Sequence, residues 1–240
     1  MKIEILYEDI TNVYGDLGNI RYLKNTFKEN EIIYTSINDE PYFYKHKVDM
    51  IYLGSFPDEY TNLVVNKLLP YKDKLKELIE NNTLILFTGS ALEIVGDYIE
   101  ESNNKYKTLS LFEGIYFKRD KNKRHNSLFI GNFNDIKIVG FKHQFSMMYG
   151  DNKYPFITAK DGCIGMNYKS NKEGLHYKNF YGTYILGPIL VLNPLFTKYL
   201  FKLINYNKKL YLEEELIKSY NIRLEDYDRE DKRYLLSTHG

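Results

Sequence analysis

The stretch LILFTGSALEIVG (Leu84–Gly96) runs from an apolar strand, Thr83–Phe87, through a Thr-Gly-Ser turn into residues Ala91–Val95, which read as the start of a helix. A strand that bends sharply into a helix is a common mount for a nucleophilic side chain. No cysteine stands at the tip of this one, which offers only threonine, glycine and serine. Whether the turn is a working site, a displaced one or the remains of one decides how the rest of the chain is read.

Upstream, the same alternation repeats. Lys2–Tyr7 (KIEILY) is strand-like, and in YGDLGNIRYLKNTFKEN the residues Ile20, Leu23 and Phe27 recur at helical spacing behind a glycine-containing turn. Glu31–Ile37 and Val48–Leu53 (VDMIYL) supply two further strands. Pro57 and Asp58 then open a helical stretch with Leu63, Val64, Leu68 and Leu69 on one face; Pro70 interrupts it, and Leu75, Leu78 and Ile79 resume the period. Strands and helices alternating in units of this length predict right-handed βαβ crossovers and a mostly parallel sheet, the α/β class.

Downstream the pattern changes. Gly114–Lys118, Ser127–Phe133, Ile136–Lys142 and Tyr177–Tyr184 read as shorter strands joined by polar turns. Asn193–Ile204 reads as a helix, with asparagine as its cap and proline at the first helical position. The tail from Asn205 is highly charged, with one helix expected in LYLEEELIKSY. The simplest division is one domain over residues 1–204 and a C-terminal extension over 205–240.

Composition excludes several classes. A formal net charge of +1, with both signs interspersed, argues against dedicated nucleic-acid binding. No apolar run approaches a membrane span, and Met1–Tyr7 lacks signal-peptide character, so a cytoplasmic protein is expected. Cys163 is the only cysteine, which excludes an intrachain disulfide and a cysteine-rich metal site. The 24 tyrosines, with no tryptophan, fit an AT-rich genome and also the composition of contact surfaces.

Three segments in order resemble class I glutamine amidotransferases of the cobyric-acid-synthase (CobB/CobQ) type, and among them the GatD-type glutaminase subunits. They are TNVYGDLGNIRYLK (Thr11–Lys24), IYLGSFPDEY…LFTGSALEIVG (Ile51–Gly96) and EGLHYKNFYGTYILGPILVLNPLF (Glu173–Phe196). The likeness runs from Ile3 to Ile204, and YGDLGN and GTYILGP are its most specific parts. It implies a three-layer α/β/α sandwich and no cofactor. It also implies a MurT-like Mur ligase as partner, which receives ammonia to amidate the stem peptide of lipid II. In such enzymes a cysteine attacks the glutamine carboxamide, a histidine takes its proton and backbone N–H groups hold the oxyanion.

Carried over position by position, the resemblance puts the nucleophile at Gly89, or at Thr88 with a shift of one, and the base at Leu186. Neither glycine nor leucine can do that chemistry. The family's triple-glycine oxyanion loop becomes Gly54-Ser55-Phe56, in which Phe56 adds bulk. Its Gly-Phe-Glu-Asn-His-Gly stretch becomes GFKHQF, with Gln144 at the histidine and His143 one before it. Arg124 falls where the family carries an arginine near the substrate pocket, and is equally readable as an exposed arginine in a basic turn. Gly54, Ser55, Ser90, Arg124 and Gln144 are therefore the expected pocket residues.

Loss of nucleophile and base together implies an inactive subunit kept as a scaffold or regulator. A second reading is a sensor that binds glutamine or a similar small molecule through Arg124 and the backbone near Gly54. A third is a surviving glutaminase, for lipid II or corrinoid amidation, with Thr88 or Ser90 as nucleophile and His143 as base. Migration of the nucleophile to Cys163 would need a new base and a new oxyanion hole there.

Overall fold

A computed structural model describes residues 1–229. The chain runs β1 (Ile3–Leu6), α1 (Leu17–Thr26), β2 (Ile32–Thr35), α2 (Tyr42–Lys45), β3 (Met50–Leu53), α3 (Thr61–Leu68), α4 (Lys72–Glu80) and β4 (Leu84–Thr88). A 3-10 helix over Gly89–Val95 leads to β5 (Tyr98–Glu101), β6 (Asn104–Lys107), β7 (Ile115–Arg119), β8 (His125–Phe133) and β9 (Ile136–Gln144). Then come β10 (Ser146–Gly150), β11 (Pro155–Ala159), β12 (Lys172–Tyr177), β13 (Phe180–Thr183), α5 (Ile189–Leu192), α6 (Pro194–Leu203) and α7 (Glu213–Asp228).

Period-two alternation in buried strands builds the layers. Ile51, Leu53, Ile85 and Phe87 enter one core with Val64 and Leu68 of α3 and Leu75 and Leu78 of α4. Their neighbours Met50, Tyr52, Leu84 and Leu86 enter a second core with Ile20 and Leu23 of α1 and Phe196 and Leu200 of α6. Helices on both faces of one sheet give the expected α/β sandwich. Pro70 breaks the α3–α4 stretch as expected, in a 3-10 turn over Leu69–Tyr71.

Among the described residues the central sheet has nine strands, ordered β2-β1-β3-β4-β13-β12-β11-β8-β9. It is mixed instead of mostly parallel: β2 to β13 pair in parallel, and β12, β11, β8 and β9 continue antiparallel. The antiparallel half follows from short connections such as Asn134–Asp135 between β8 and β9, where Asn134 has φ +49° and no crossover helix fits. A four-stranded sheet, β10-β7-β5-β6, is a second layer that the sequence pattern does not announce.

Two local expectations change. Ala91–Val95 starts no α-helix; it lies in the 3-10 segment, whose residues are all buried, so it has no polar face to turn to water. Asn193 occupies the cap position of α6, but its side chain makes no cap bond. Its Oδ1 accepts from Val139 N (2.8 Å) and its Nδ2 donates to Val139 O (2.8 Å), tying the helix to β9.

The helix expected in LYLEEELIKSY is α7, which lies on β8 and β9 through Tyr220, Ile130 and Val139; the end of the charged extension, 230–240, lies outside the described residues. Among the described residues no helix is long and apolar enough to cross a membrane.

Candidate functional site

The bend after β4 has its tip at Gly89. Its φ is +58°, whereas Thr88 is ordinary extended chain (φ −122°, ψ 147°). Of the two alignments, only Gly89 occupies the left-handed position that defines an elbow. The space beside it is taken: a Cβ built there would meet Ser55 Oγ at 2.4 Å, Ser55 Cβ at 2.6 Å and Leu186 Cδ2 at 3.2 Å. The residues at the oxyanion-loop and base positions thus fill the volume of a side chain at the nucleophile position.

The backbone donors around the elbow are engaged as well. Ser55 N donates to Asp16 Oδ2 (2.5 Å), Phe56 N to Ser90 Oγ (2.8 Å) and Ser90 N to Ser55 Oγ (3.3 Å). Ser90 Oγ in turn donates to Phe56 O (2.7 Å). An oxyanion hole needs such N–H groups aimed at empty space; here each ends on a side chain of the chain itself. The bulk of Phe56, expected in the pocket, lies instead in the core with Leu53 and Phe87.

Beneath the elbow sits Asp16, a residue within the quoted YGDLGN motif that the sequence reading did not single out. It is fully buried, and its Oδ2 also accepts from Thr88 Oγ1 (2.8 Å) while Oδ1 accepts from Asn19 Nδ2 (3.0 Å). Asn19 reaches further: Nδ2 donates to Tyr52 OH (3.0 Å), and Oδ1 accepts from Leu190 N (2.9 Å). Gly18 lies so near Pro188 that a Cβ would approach its Cγ to 2.5 Å. The opening YGDLGN and the closing GTYILGP therefore interlock, which explains why the two patterns occur together. Burial pushes the Asp16 carboxyl up to about 6, against the pull of its hydrogen bonds. The signal in the sequence was an Asp and an Asn three residues apart at a helix start.

Above the elbow is a cavity of about 20 Å³, lined by Ser55, Gly89, Ser90 and Glu93 from the segments after β3 and β4 and by His143, Gln144, Ser146, Tyr184 and Leu186 at the ends of β9, β10 and β13. That volume holds about one water molecule. Of the expected pocket residues, Ser55, Ser90 and Gln144 line it. Gly54 stands behind, against Thr11, Tyr52 and Asp16, and Arg124 is exposed outside, its Nη2 3.0 Å from His143 Nε2. His143 Nδ1 faces Asn126 Oδ1 (2.5 Å), and burial, with the Arg124 charge, lowers its pKa. Among the described residues the hydrogen-bond partners of Thr88 and Ser90 include no histidine. Cys163 is free and half-buried, packed beside Ile130 and Val139, and does not line the cavity.

Glu93 joins the cavity lining to a charge cluster that periodicity does not reveal, because its members come from separate elements. Buried Arg119 donates to Glu93 Oε2 (2.7 Å) and Thr61 Oγ1 (3.2 Å) and also pairs with Glu101 (3.3 Å). Burial raises the Glu93 carboxyl, against the Arg119 charge. On the wall formed by β9, β10 and β13, Gln144 Oε1, Ser146 Oγ and Tyr184 OH are buried without a well-formed hydrogen bond among the described residues, although the Tyr184 hydroxyl faces Glu93 and Ser146.

Comparison with known proteins agrees with this architecture. The CobB/CobQ-like glutamine amidotransferase domain matches residues 2–193. The lipid II isoglutaminyl synthase (glutamine-hydrolyzing) subunit GatD of Streptococcus pneumoniae is 30% identical over 208 residues, covering 80% of this chain and 76% of that protein. The subunit of the same name from Staphylococcus aureus is 29% identical over 195 residues, covering 80% and 79%. Among solved structures, PurLQS from Thermotoga maritima superposes with a TM-score of 0.57 at 13% identity, over 86% of this chain and 99% of that one. A second glutamine amidotransferase gives 0.56 at 10% identity, over 85% and 100%; at such identities the likeness is one of fold. Sequence match and topology together make this chain a member of the CobB/CobQ-like glutamine amidotransferase family.

Proposed function

We propose that the chain is a GatD-like subunit without glutaminase activity, a scaffold or regulatory partner of a MurT-like Mur ligase in the amidation of lipid II during peptidoglycan synthesis. The observation that carries this reading is Ser55 Oγ, 2.4 Å from where a side chain on Gly89 would begin. The engaged donors Ser55 N, Phe56 N and Ser90 N support it further. The names of the two relatives, each a subunit of lipid II isoglutaminyl synthase, support the pathway and the role of a subunit; the Mur-ligase partner and a cytoplasmic setting belong to the proposal. Such a subunit acts by binding energy: holding the ligase in its folded state stabilises it by mass action, and ammonia then reaches the ligase from solution.

The sensor reading is not favoured, because a cavity of about 20 Å³ is far too small for glutamine and Arg124 does not line it. Nor is the surviving glutaminase: the Thr88 hydroxyl is held by Asp16 and Tyr52, and that of Ser90 by Phe56 and Ser55. The test is ammonia release from glutamine by the purified chain, alone and with its ligase. None is expected. Restoring the two missing groups with Gly89→Cys and Leu186→His is also expected to release none, since Ser55 still fills the site. Glutamine-dependent ammonia from the unaltered chain overturns the proposal.

A further inference from the structure

The four-stranded sheet has two unlike faces. Inward, Ile99, Ile115, Phe117 and Met148 belong to the core beside the elbow, and Arg119 reaches Glu93. Outward, the positions an ordinary solvated sheet face would give to small polar residues carry a row of tyrosines. Tyr98, Tyr116 and Tyr149 stand opposite one another on β5, β7 and β10, with ring centroids 5.0 and 5.8 Å apart and planes within 15° and 23° of parallel. Lys105 lies 4.6 Å from the Tyr98 ring, and Lys118 lies 5.8 and 5.9 Å from those of Tyr116 and Tyr149. Lys107 extends the row opposite Tyr98. The tyrosines are half-buried, the lysines exposed, and Glu100 is the only acidic residue of β5, β6, β7 and β10 paired into these two rows.

We infer that this face, Tyr98-Tyr116-Tyr149 with Lys105, Lys107 and Lys118, is the docking surface for the partner subunit; the inference rests on the partner reading above. The rings are held stacked before any contact, so little side-chain freedom is lost on binding. Lys118 is paired with Glu100 (3.2 Å), which leaves Lys105 and Lys107 as the positive charges of the face, and these select a partner patch rich in carboxylates with apolar side chains between them. The location also has a consequence for the elbow, because the same sheet places Ser146 in the cavity lining and holds Glu93 of that lining through Arg119. The partner thus sits one layer away from the occupied site without entering it.

The experiment measures the dissociation constant between the full chain and the full-length Mur-ligase-like protein of the same genome, by calorimetry at low and at high salt. The triple variant Tyr98→Ser, Tyr116→Ser, Tyr149→Ser is expected to bind at least about 100-fold more weakly. Lys105→Glu with Lys107→Glu, on the exposed edge strand where folding is least at risk, is expected to bind about 10-fold more weakly at low salt, with the loss shrinking at high salt. Tyr154→Ser, an exposed tyrosine on another face, serves as control. If the unaltered chain binds and both variants match it, the face is wrong and the partner reading survives. If the unaltered chain does not bind, the partner reading itself falls. If it self-associates through a contact that the triple variant disperses, the face belongs to a second copy and the inference is overturned.

Discussion

The two walls of the elbow cavity are built on opposite principles. On the side of β4 and α1, every polar group has an answer: Asp16, Asn19, Tyr52, Thr88, Ser55 and Ser90 form one continuous set of hydrogen bonds. On the side of β9, β10 and β13, Gln144 Oε1, Ser146 Oγ and Tyr184 OH are buried without a well-formed hydrogen bond among the described residues. A satisfied buried network stiffens a fold and is costly to break, whereas an unpaired buried group costs free energy as it stands. The contrast teaches that the polar groups beside Gly89 serve as structural support, while the opposite wall keeps polar groups less tightly tied into the packing.

The sharpest way to break that comparison is Asp16→Ala, which leaves Ser55 N, Thr88 Oγ1 and Asn19 Nδ2 without their acceptor. A loss of about 3–5 kcal/mol in urea unfolding is expected; a loss below about 1 kcal/mol would mean the network supports nothing. Next is Gly89→Ala, which combines a left-handed backbone with a 2.4 Å clash on Ser55 Oγ. It should cost about 2–4 kcal/mol, of which Ser55→Gly in the same chain recovers about 1–2 kcal/mol by removing the obstacle.

A pH series sharpens the picture. The Asp16 carboxyl sits at about 6 in the fold against an ordinary 3.8, so the folded chain holds this proton more tightly than the unfolded one. The stability it contributes is present in full below pH 3.8 and is lost as pH rises through about 6. Subtracting the profile of Asp16→Asn should leave a component of roughly 2–3 kcal/mol over that window. The smallest effect is expected on the far wall: Tyr184→Phe removes a hydroxyl that makes no well-formed hydrogen bond among the described residues and should alter stability by less than about 1 kcal/mol in either direction. A cost as large as that of Asp16→Ala would erase the distinction between the two walls.

The parallel half of the fold was legible because fully buried strands carry continuous apolar runs and alternate with amphipathic helices. β5, β6 and β10 were not: Tyr98–Glu101, Asn104–Lys107 and Ser146–Gly150 are short and bear polar or aromatic side chains on one exposed face. Gly89 and Leu186 are assigned the nucleophile and base positions by resemblance alone, through the register of the flanking motifs. What stands beside them could not. Ser55 and Ser90 lie 35 residues apart, and the parallel register of β3 with β4 together with the bend at Gly89 brings their hydroxyls to 3.2 Å. Arg124 misled for a related reason, because proximity in register to a pocket says nothing about whether a side chain turns into it.

The bond from Leu190 N to Asn19 Oδ1 spans 171 positions of the chain. On a ribosome delivering the polypeptide from its N-terminus, α1 and β4 exist long before their last anchor has been synthesised. The hydrogen bonds around Asp16 are complete once Ser90 has emerged, but the amide that joins them to the closing motif arrives only with Leu190, so the interlock of the two motifs is among the last contacts to form.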